Sequence, residues 1–591
     1  MKLPAKTDDL ISWTRERIEE CFVSVESRRA LYRDFKNIFY TGTRDGSGAK
    51  HNKVFAHVDK LSSYLFSPAE VRFALDFHDV DHALWKKKAE VAGRHLNRLV
   101  SRRRIDTTIS EAVLWSLVKG VTIARVNWGH GGFEPWVIQP EFFGVMNESE
   151  PSLDRQECFC VTSLITEAAL GRLLNNNPRR NEIMSRIGGS FDSSQLREMG
   201  GSGGGGFGVV GGGTWPNGGI GVPGLSTSPS PQMASASLAV QMGPMLAPEV
   251  EARLIELHEL WVWDDDGDDW TTIQYAEPGL IFEGRYQRRN LSGVKGEHPF
   301  VRFCSNEVPN YFWGRSEIAG VALLQMMLNA RIDNVDALYR LAANPPRTFR
   351  GFSGLTPEKA KALQTAGSVL TDGAPASTTA IDTMKSEIPQ GYMEYIRAIE
   401  NWFDEAGGFT AILSGQGEPG VRAGTHANTL LRTSTPRLRD RALLVEKQCA
   451  EVGDLAFHLL AAKDATVFTV HAPTPPKGGV MGMIAKLTQA ESPDEEQFLL
   501  AQLPKDASVV VDSHTSSPAF SGEAEAKAFQ LHRSGAISPE DLLRLTHPPM
   551  EDELIANLRE RQAGQSRQME ELKETDPEAW AKAMSHTGGR H

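Results

Sequence analysis

The stretch 413–426 reads LSGQGEPGVRAGTH, and Gly415, Gly417 and Gly420 within it carry the spacing G-x-G-x-x-G. Glycines at that spacing let a backbone approach a pyrophosphate at the mouth of a helix, which is the chemistry of a dinucleotide site. Such a site also needs a strand before the loop and an acidic residue about 20 positions on, at the tip of the next strand. Here GFTAIL offers at most a very short strand, Glu418 sets a carboxylate where phosphates would lie, and Pro419 removes an N–H donor. Asp440 falls inside a helical stretch rather than at a strand end, and no G-x-x-x-x-G-K-[ST] occurs in the chain. The expectation is a flexible loop joining two helices, with a nucleotide-binding enzyme kept as the rival reading.

Other reactive patterns are as sparse. No H-E-x-x-H occurs, and the one G-x-S-x-G, at 200–204, lies in a glycine-rich tract with no strand or helix to build a nucleophile elbow. His78 and His82 in HDVDH would share a metal on a helix, but no third ligand stands nearby, and a solvated polar stretch is expected. The acidic run 264–269, DDDGDD, puts Asp264, Asp266 and Gly267 on calcium-loop positions, yet Val262 and Ile273 occupy the first and last, which favours a plain hairpin turn. Cys158 and Cys160 are expected as buried thiols on one strand, and His258 as a surface or interface residue on an alternating strand. No catalytic residue, metal or cofactor is expected.

The chain has 591 residues, 40% of them hydrophobic and 23% charged, enough for several domains. Its net charge of -12 argues against a surface that coats nucleic acid, because phosphate neutralisation needs clustered Lys and Arg. Five scattered cysteines form neither a disulfide framework nor a zinc site, so a reducing compartment is expected. No run reaches the ~18 apolar residues of a membrane helix, and MKLPAKTDDLISW lacks a signal-peptide core, so neither secretion nor a membrane partner is expected.

The elements follow from periodicity. The first ~125 residues read as helices, with Ile11, Ile18, Cys21 and Phe22 at three- and four-residue spacing and a second helix from Asp106 to Lys119. VTIARVNWGHGGFEPWVIQPEFFGV alternates on both sides of a glycine turn, which predicts a β-hairpin, and RLIELHELWVW with WTTIQYA predicts another around 264–269. Residues 197–248 are too rich in Gly, Ser and Pro to bury a core and read as a disordered insertion. Glu317 to Ala343 reads as one helix about 40 Å long at ~1.5 Å per residue, with Val321, Leu324, Met327, Leu328, Ile332, Val335 and Leu338 as its apolar positions, closed by Pro345 and Pro346. A small βαβ-like insert follows, then a helix from Gln390 to about Ala406 with Tyr392, Ile396, Ile399 and Phe403 on one face. A long helix from Thr425 to about Ala462, bent at Pro436, leads through further strands to a charged helical tail.

This order of parts resembles the portal proteins of tailed bacteriophages. AVLWSLVKGVTIARVNW is similar to a helix, glycine and strand of the wing of that family, WGRSEIAGVALLQMMLNARIDNVDALYRLAANPP to its stem entry, and SSPAFSGEAEAKAFQLHRSGAISPEDLLRLTHPP to the approach to its crown. The resemblance implies an α+β multidomain subunit: wing 1–312 with return strands 464–520, stem helices 313–344 and 390–407, clip 345–389, tunnel-loop region 408–424, a long kinked helix 425–463 and crown 521–591. It implies a ring of twelve copies at one capsid vertex, present in the host cytoplasm during assembly and in the virion afterwards. Double-stranded DNA would pass through it without sequence specificity, and a terminase large subunit, head-tail adaptor and tail proteins, and the major capsid protein would be its partners. Gln416, Glu418, Arg422 and His426 would then face DNA in the channel, and Arg347, Arg350, Lys359 and Lys361 would dock partners at the clip. Another oligomeric virion adaptor without a DNA channel remains the alternative.

Overall fold

The computed structural model describes residues 3–4, 7–67, 71–76, 83–129, 132–166, 170–172, 174, 254–265, 268–276, 280–288, 296–343, 347–350, 356, 358, 380–383, 391–408, 436–471, 495–504, 508–511, 527–546, 554–555, 557–558, 560–561 and 564. In chain order the helices are α1 (Thr7–Thr41), α2 (Lys53–Leu65), α3 (Ala83–Arg102), α4 (Ile105–Lys119), α5 (Glu317–Ala343), α6 (Tyr392–Gly407), α7 (Pro436–Lys463) and α8 (Pro539–Thr546). The strands are β1 (Phe73–Asp76), β2 (Thr122–Gly129), β3 (Gly132–Ile138), β4 (Phe143–Val145), β5 (Cys158–Thr166), β6 (Leu254–Asp264) and β7 (Asp269–Ala276). They continue with β8 (Leu280–Arg288), β9 (Phe300–Phe303), β10 (Arg347–Arg350), β11 (Ala380–Thr383), β12 (Val467–His471), β13 (Glu495–Leu499) and β14 (Ser508–Val511). The chain is a mixture of helices and small antiparallel sheets. It divides into two units, one formed by Met1–Ser62, Arg103–Arg437 and His458–Ala465, the other by Ser63–Arg102, Leu438–Phe457 and Thr466–His591.

In the first unit, β4-β5-β6-β7-β8 form one sheet and β3-β2-β9 another. Both expected hairpins are present: β2 meets β3 from Ile123↔Ile138 to Gly129↔Gly132, and β6 meets β7 with Asp264 opposite Asp269. The pattern on β5 is buried on both faces except at Ser163 and Thr166, because α1 covers one side of the sheet. Cys158 and Cys160 are therefore fully buried; contact with the Cys21 thiol and then burial push Cys158 well above its usual range, and burial with the same neighbour pushes Cys160 up. The two sheets are joined through a buried ion pair. Arg125 on β2 donates from Nη1 and Nη2 to the carboxylate of Glu259 on β6 at 3.2 and 3.0 Å, while its guanidinium lies between the rings of Trp136 and Phe300. Trp261 Nε1 donates a further bond of 3.0 Å to Glu259, so the carboxylate is satisfied where water is excluded.

In the second unit, β1 pairs antiparallel with β14, from Phe73↔Val511 to Asp76↔Ser508, and β12 pairs with β13. The strand β1 corrects the purely helical reading of the first ~125 residues. Its hydrogen-bond partner lies near the other end of the chain, so no local pattern announces it. Asn97 on α3 holds the strand from the side, its amide donating to Phe73 O and accepting from Phe73 N, each at 2.9 Å.

In the insert after α5, β10 and β11 pair antiparallel, Arg347 opposite Thr383 and Arg350 opposite Ala380, while 367–373, the strand expected after the short helix of the βαβ-like reading, lies outside the described residues. One further expectation changes. His258 is not a surface residue: its side chain is 12% exposed, and Nδ1 lies 2.9 Å from Thr162 Oγ1 on β5. Burial, reinforced by the Arg29 charge, lowers its pKa to about 4 and keeps the ring neutral. The helix α7 is described from Pro436 onward, so the bend expected there and residues 425–435 lie outside the described residues, as does the insertion 197–248.

Candidate assembly surface on a helix pair

The helices α5 and α6 pack on each other through Leu328, Ile396 and Ile399, with Ile332, Val335 and Tyr392 at the margin. The face of α6 expected from its sequence is the one that is buried. On α5 the buried positions are Ile318, Val321, Ala322, Gln325 and Leu328, along with Glu317. Met327, read from sequence as part of the apolar face, instead points outward and is 37% exposed.

The foot of the pair is fixed by polar contacts to α2 and to the turn after α1. Gln325, fully buried, accepts from Lys53 N at 3.0 Å and Val54 N at 3.3 Å, so a side chain of α5 satisfies two of the orphan amides that open α2. Its amide nitrogen donates to His51 O at 2.8 Å and Asn329 Oδ1 at 2.7 Å. Lys53 Nζ reaches α6, donating to Glu400 O and Asp404 Oδ2 at 2.9 Å each and lying over the Phe403 ring. His57 stands 3.6 Å from Glu317 and edge-on to Phe403. Gly407 makes this contact possible, because a Cβ there would lie 2.4 Å from His57 Cε1. The start of α5 is tied to α4 by one hydroxyl: Ser316 Oγ donates to Val118 O at 2.5 Å and accepts from Ile318 N at 3.1 Å, capping the end of one helix and the beginning of the other.

Beyond Leu328, α5 continues for about 15 residues, or ~22 Å at 1.5 Å per residue, with Ile332 and Val335 half-buried against α6 and Asp333 and Asp336 paired with Lys50. Along the whole helix, Gly320, Leu323, Met327, Ala330, Asn334, Ala337 and Leu341 are exposed at alternating steps of three and four. That is a heptad seam, uncharged throughout, with Leu323 69% and Leu341 43% exposed. On α6, Met393, Tyr395 and Trp402 are also exposed, the last two in edge contact with each other. A solvent-facing helix ordinarily carries charge on its outer face, so this stripe has the composition of a surface that receives another helix. No sequence signal short of the three-dimensional burial separates this seam from the packed face, because both are apolar at helical spacing.

Of the residues proposed to face DNA or to dock partners, Arg347 and Arg350 stand at the two ends of β10. Lys359, Lys361, Gln416, Glu418, Arg422 and His426 lie outside the described residues, as do Gly415, Gly417, Gly420, His78 and His82. Among the described residues no group of three or more His, Cys, Asp or Glu side chains is placed to hold a metal ion, and no helix is long and apolar enough to cross a membrane.

No family model matches the chain, and no curated protein matches it. Among solved structures, a chain described as "Neck of empty GTA particle computed with C6 symmetry" is similar over 88% of this chain and 94% of its own, at 12% identity and a TM-score of 0.37. At that score the likeness assigns neither family nor role.

Proposed function

We propose that this chain is a structural subunit of a phage-type particle, assembling through α5 and α6 into a portal-like ring at the junction of head and tail. The observation that carries the reading is the uncharged heptad seam on α5, half of it on a helical segment that stands beyond any buried residue. One side of α5 packs on α6, and an uncharged stripe left exposed on another side calls for a second partner helix, which copies of the chain around a rotation axis supply to each other. The order of parts supports the same reading: a long helix, an antiparallel strand pair and a returning helix packed on the first match the stem and clip of the portal resemblance. In this reading the ring has twelve copies, the loop 413–424 meets double-stranded DNA in its channel, and the clip docks the terminase and the tail adaptor. The net charge of -12 keeps DNA mobile in such a conduit. Catalysis is left to the motor, and the chain itself performs none.

Negative-stain images of the purified full-length chain test this. Closed rings with a central hole are the expected result. A monodisperse monomer at micromolar concentration overturns the assembly reading, and closed oligomers with no central hole favour the adaptor alternative.

A further inference from the structure

The helix α3 carries Lys86, Lys87, Lys88, Arg94, Arg98 and Arg102 against the single acidic residue Glu90, within a chain whose net charge is -12. Its inner face is fully committed to the second unit. Ala89, Ala92, Leu96 and Val100 are buried, Asn97 clamps β1, and Lys88 turns inward to Glu496 at 2.8 Å, over the rings of Trp85 and Phe498. Arg94, Arg98 and Arg102 are left on the outer face, exposed, at steps of four residues or ~6 Å along the axis, and they form no ion pair with any described residue. Three guanidinium groups without an ion pair, held in line on a packed helix with Glu90 as its one carboxylate, cost electrostatic self-repulsion. A row of phosphates relieves it, each guanidinium offering a planar fork to the oxygens of one.

We propose that this row on α3 binds the phosphodiester backbone of duplex DNA, without reading its sequence. Two observations select this partner. Beside the arginines stand Glu90, Val91, His95 and Ser101, none of them a large apolar side chain, and of the larger apolar residues of α3 Leu96 and Val100 are buried and Leu99 is half-buried, which leaves little of the anchoring a membrane-surface helix needs. Trp85 lies beneath Lys88 and the His95 ring packs edge-on against Phe468, so neither ring is presented for the base stacking on which single-strand binding relies. What remains is fixed spacing and charge, which suit the regular backbone of a duplex. The proposal uses no residue of 413–424 and does not depend on ring assembly.

The test is fluorescence anisotropy of a 30-base-pair duplex with the full-length chain across a salt series. Three variants are compared with the parent: Arg94→Gln/Arg98→Gln/Arg102→Gln, the same three positions changed to Lys, and a control of equal charge change, Arg33→Gln/Lys60→Gln/Lys447→Gln, at exposed positions on α1, α2 and α7. The α3 Gln variant is expected to bind roughly tenfold more weakly. Its log-log salt slope should be reduced by about 2 to 3, near 0.9 per lost phosphate contact. The Lys variant, which keeps the charge, retains most of the slope, and the control stays within about twofold of the parent. Equal losses in the α3 Gln variant and the control mean net charge alone acts and overturn the proposal. So do a Lys variant that fails as badly as the Gln one, absence of duplex binding by the parent, or tighter binding to single strands or phosphatidylserine vesicles than to duplex.

Discussion

Among single residues, His258 has the most directly measurable consequence. Its folded pKa of about 4 lies below the ordinary value of 6.5, so between those two pH values the unfolded chain binds a proton that the folded one refuses. Stability that is fully present above pH 6.5 is therefore lost as pH falls toward 4, by an amount on the order of 3 kcal/mol for a shift of this size. Urea midpoints followed from pH 8 to pH 4.5 should fall for the parent and fall less steeply for His258→Asn; parallel curves for the two would show that His258 does not set the dependence. The burial behind this shift was not legible in the sequence. An alternating strand tells which residues share a face, and only the approach of α1 decides which face is covered, so His258 reads as a surface or interface residue while its side chain is 12% exposed. Cys158 and Cys160 were read correctly as buried thiols because a short apolar run leaves little else for them to be.

At the scale of elements, boundaries set by breakers were legible and pairings between distant segments were not. The helix α5 runs over the residues expected from its spacing and stops before Pro345, and α4 stops at Gly120. Gly120 has φ 99°, and a Cβ there would stand 2.8 Å from Trp313 O and 3.1 Å from Ser316 N, where the end of α4 meets the start of α5. Gly120→Ala is therefore expected to lose at least about 2 kcal/mol, combining a left-handed backbone with backbone crowding. Ser316→Ala, which strips a cap from both helices, should lose about 1 to 2 kcal/mol. Both are read from denaturant midpoints, and a Gly120→Ala chain as stable as the parent would mean that this junction yields freely. The pairing of β10 with β11 was not legible because a pattern of strands and a helix fixes the elements but not which strands meet.

For the whole molecule, the exposed seam on α5 makes assembly separable from folding. Leu323→Asp/Met327→Asp places two carboxylates on a face that the lone chain leaves in water, so its thermal midpoint should stay within a few degrees of the parent while size-exclusion light scattering shows loss of the oligomer. An oligomer that survives the change would move the contact surface elsewhere. The outline of this molecule, an α+β chain with a long helix packed on a shorter one, was readable because its helices are long and periodic, whereas its division into two interleaved units was not, because that depends on which remote segments touch. The pairing of β1 with β14 carries a cost in time. A ribosome releases Phe73 early and Val511 only near the end, so the segment Ser63–Arg102 spends most of synthesis without the strand that completes its sheet. Nascent chains stalled before Ser508 should thus hold the first unit's sheets while leaving α3 and β1 open to protease and to chaperones, and a late stop codon would be felt first near the amino terminus.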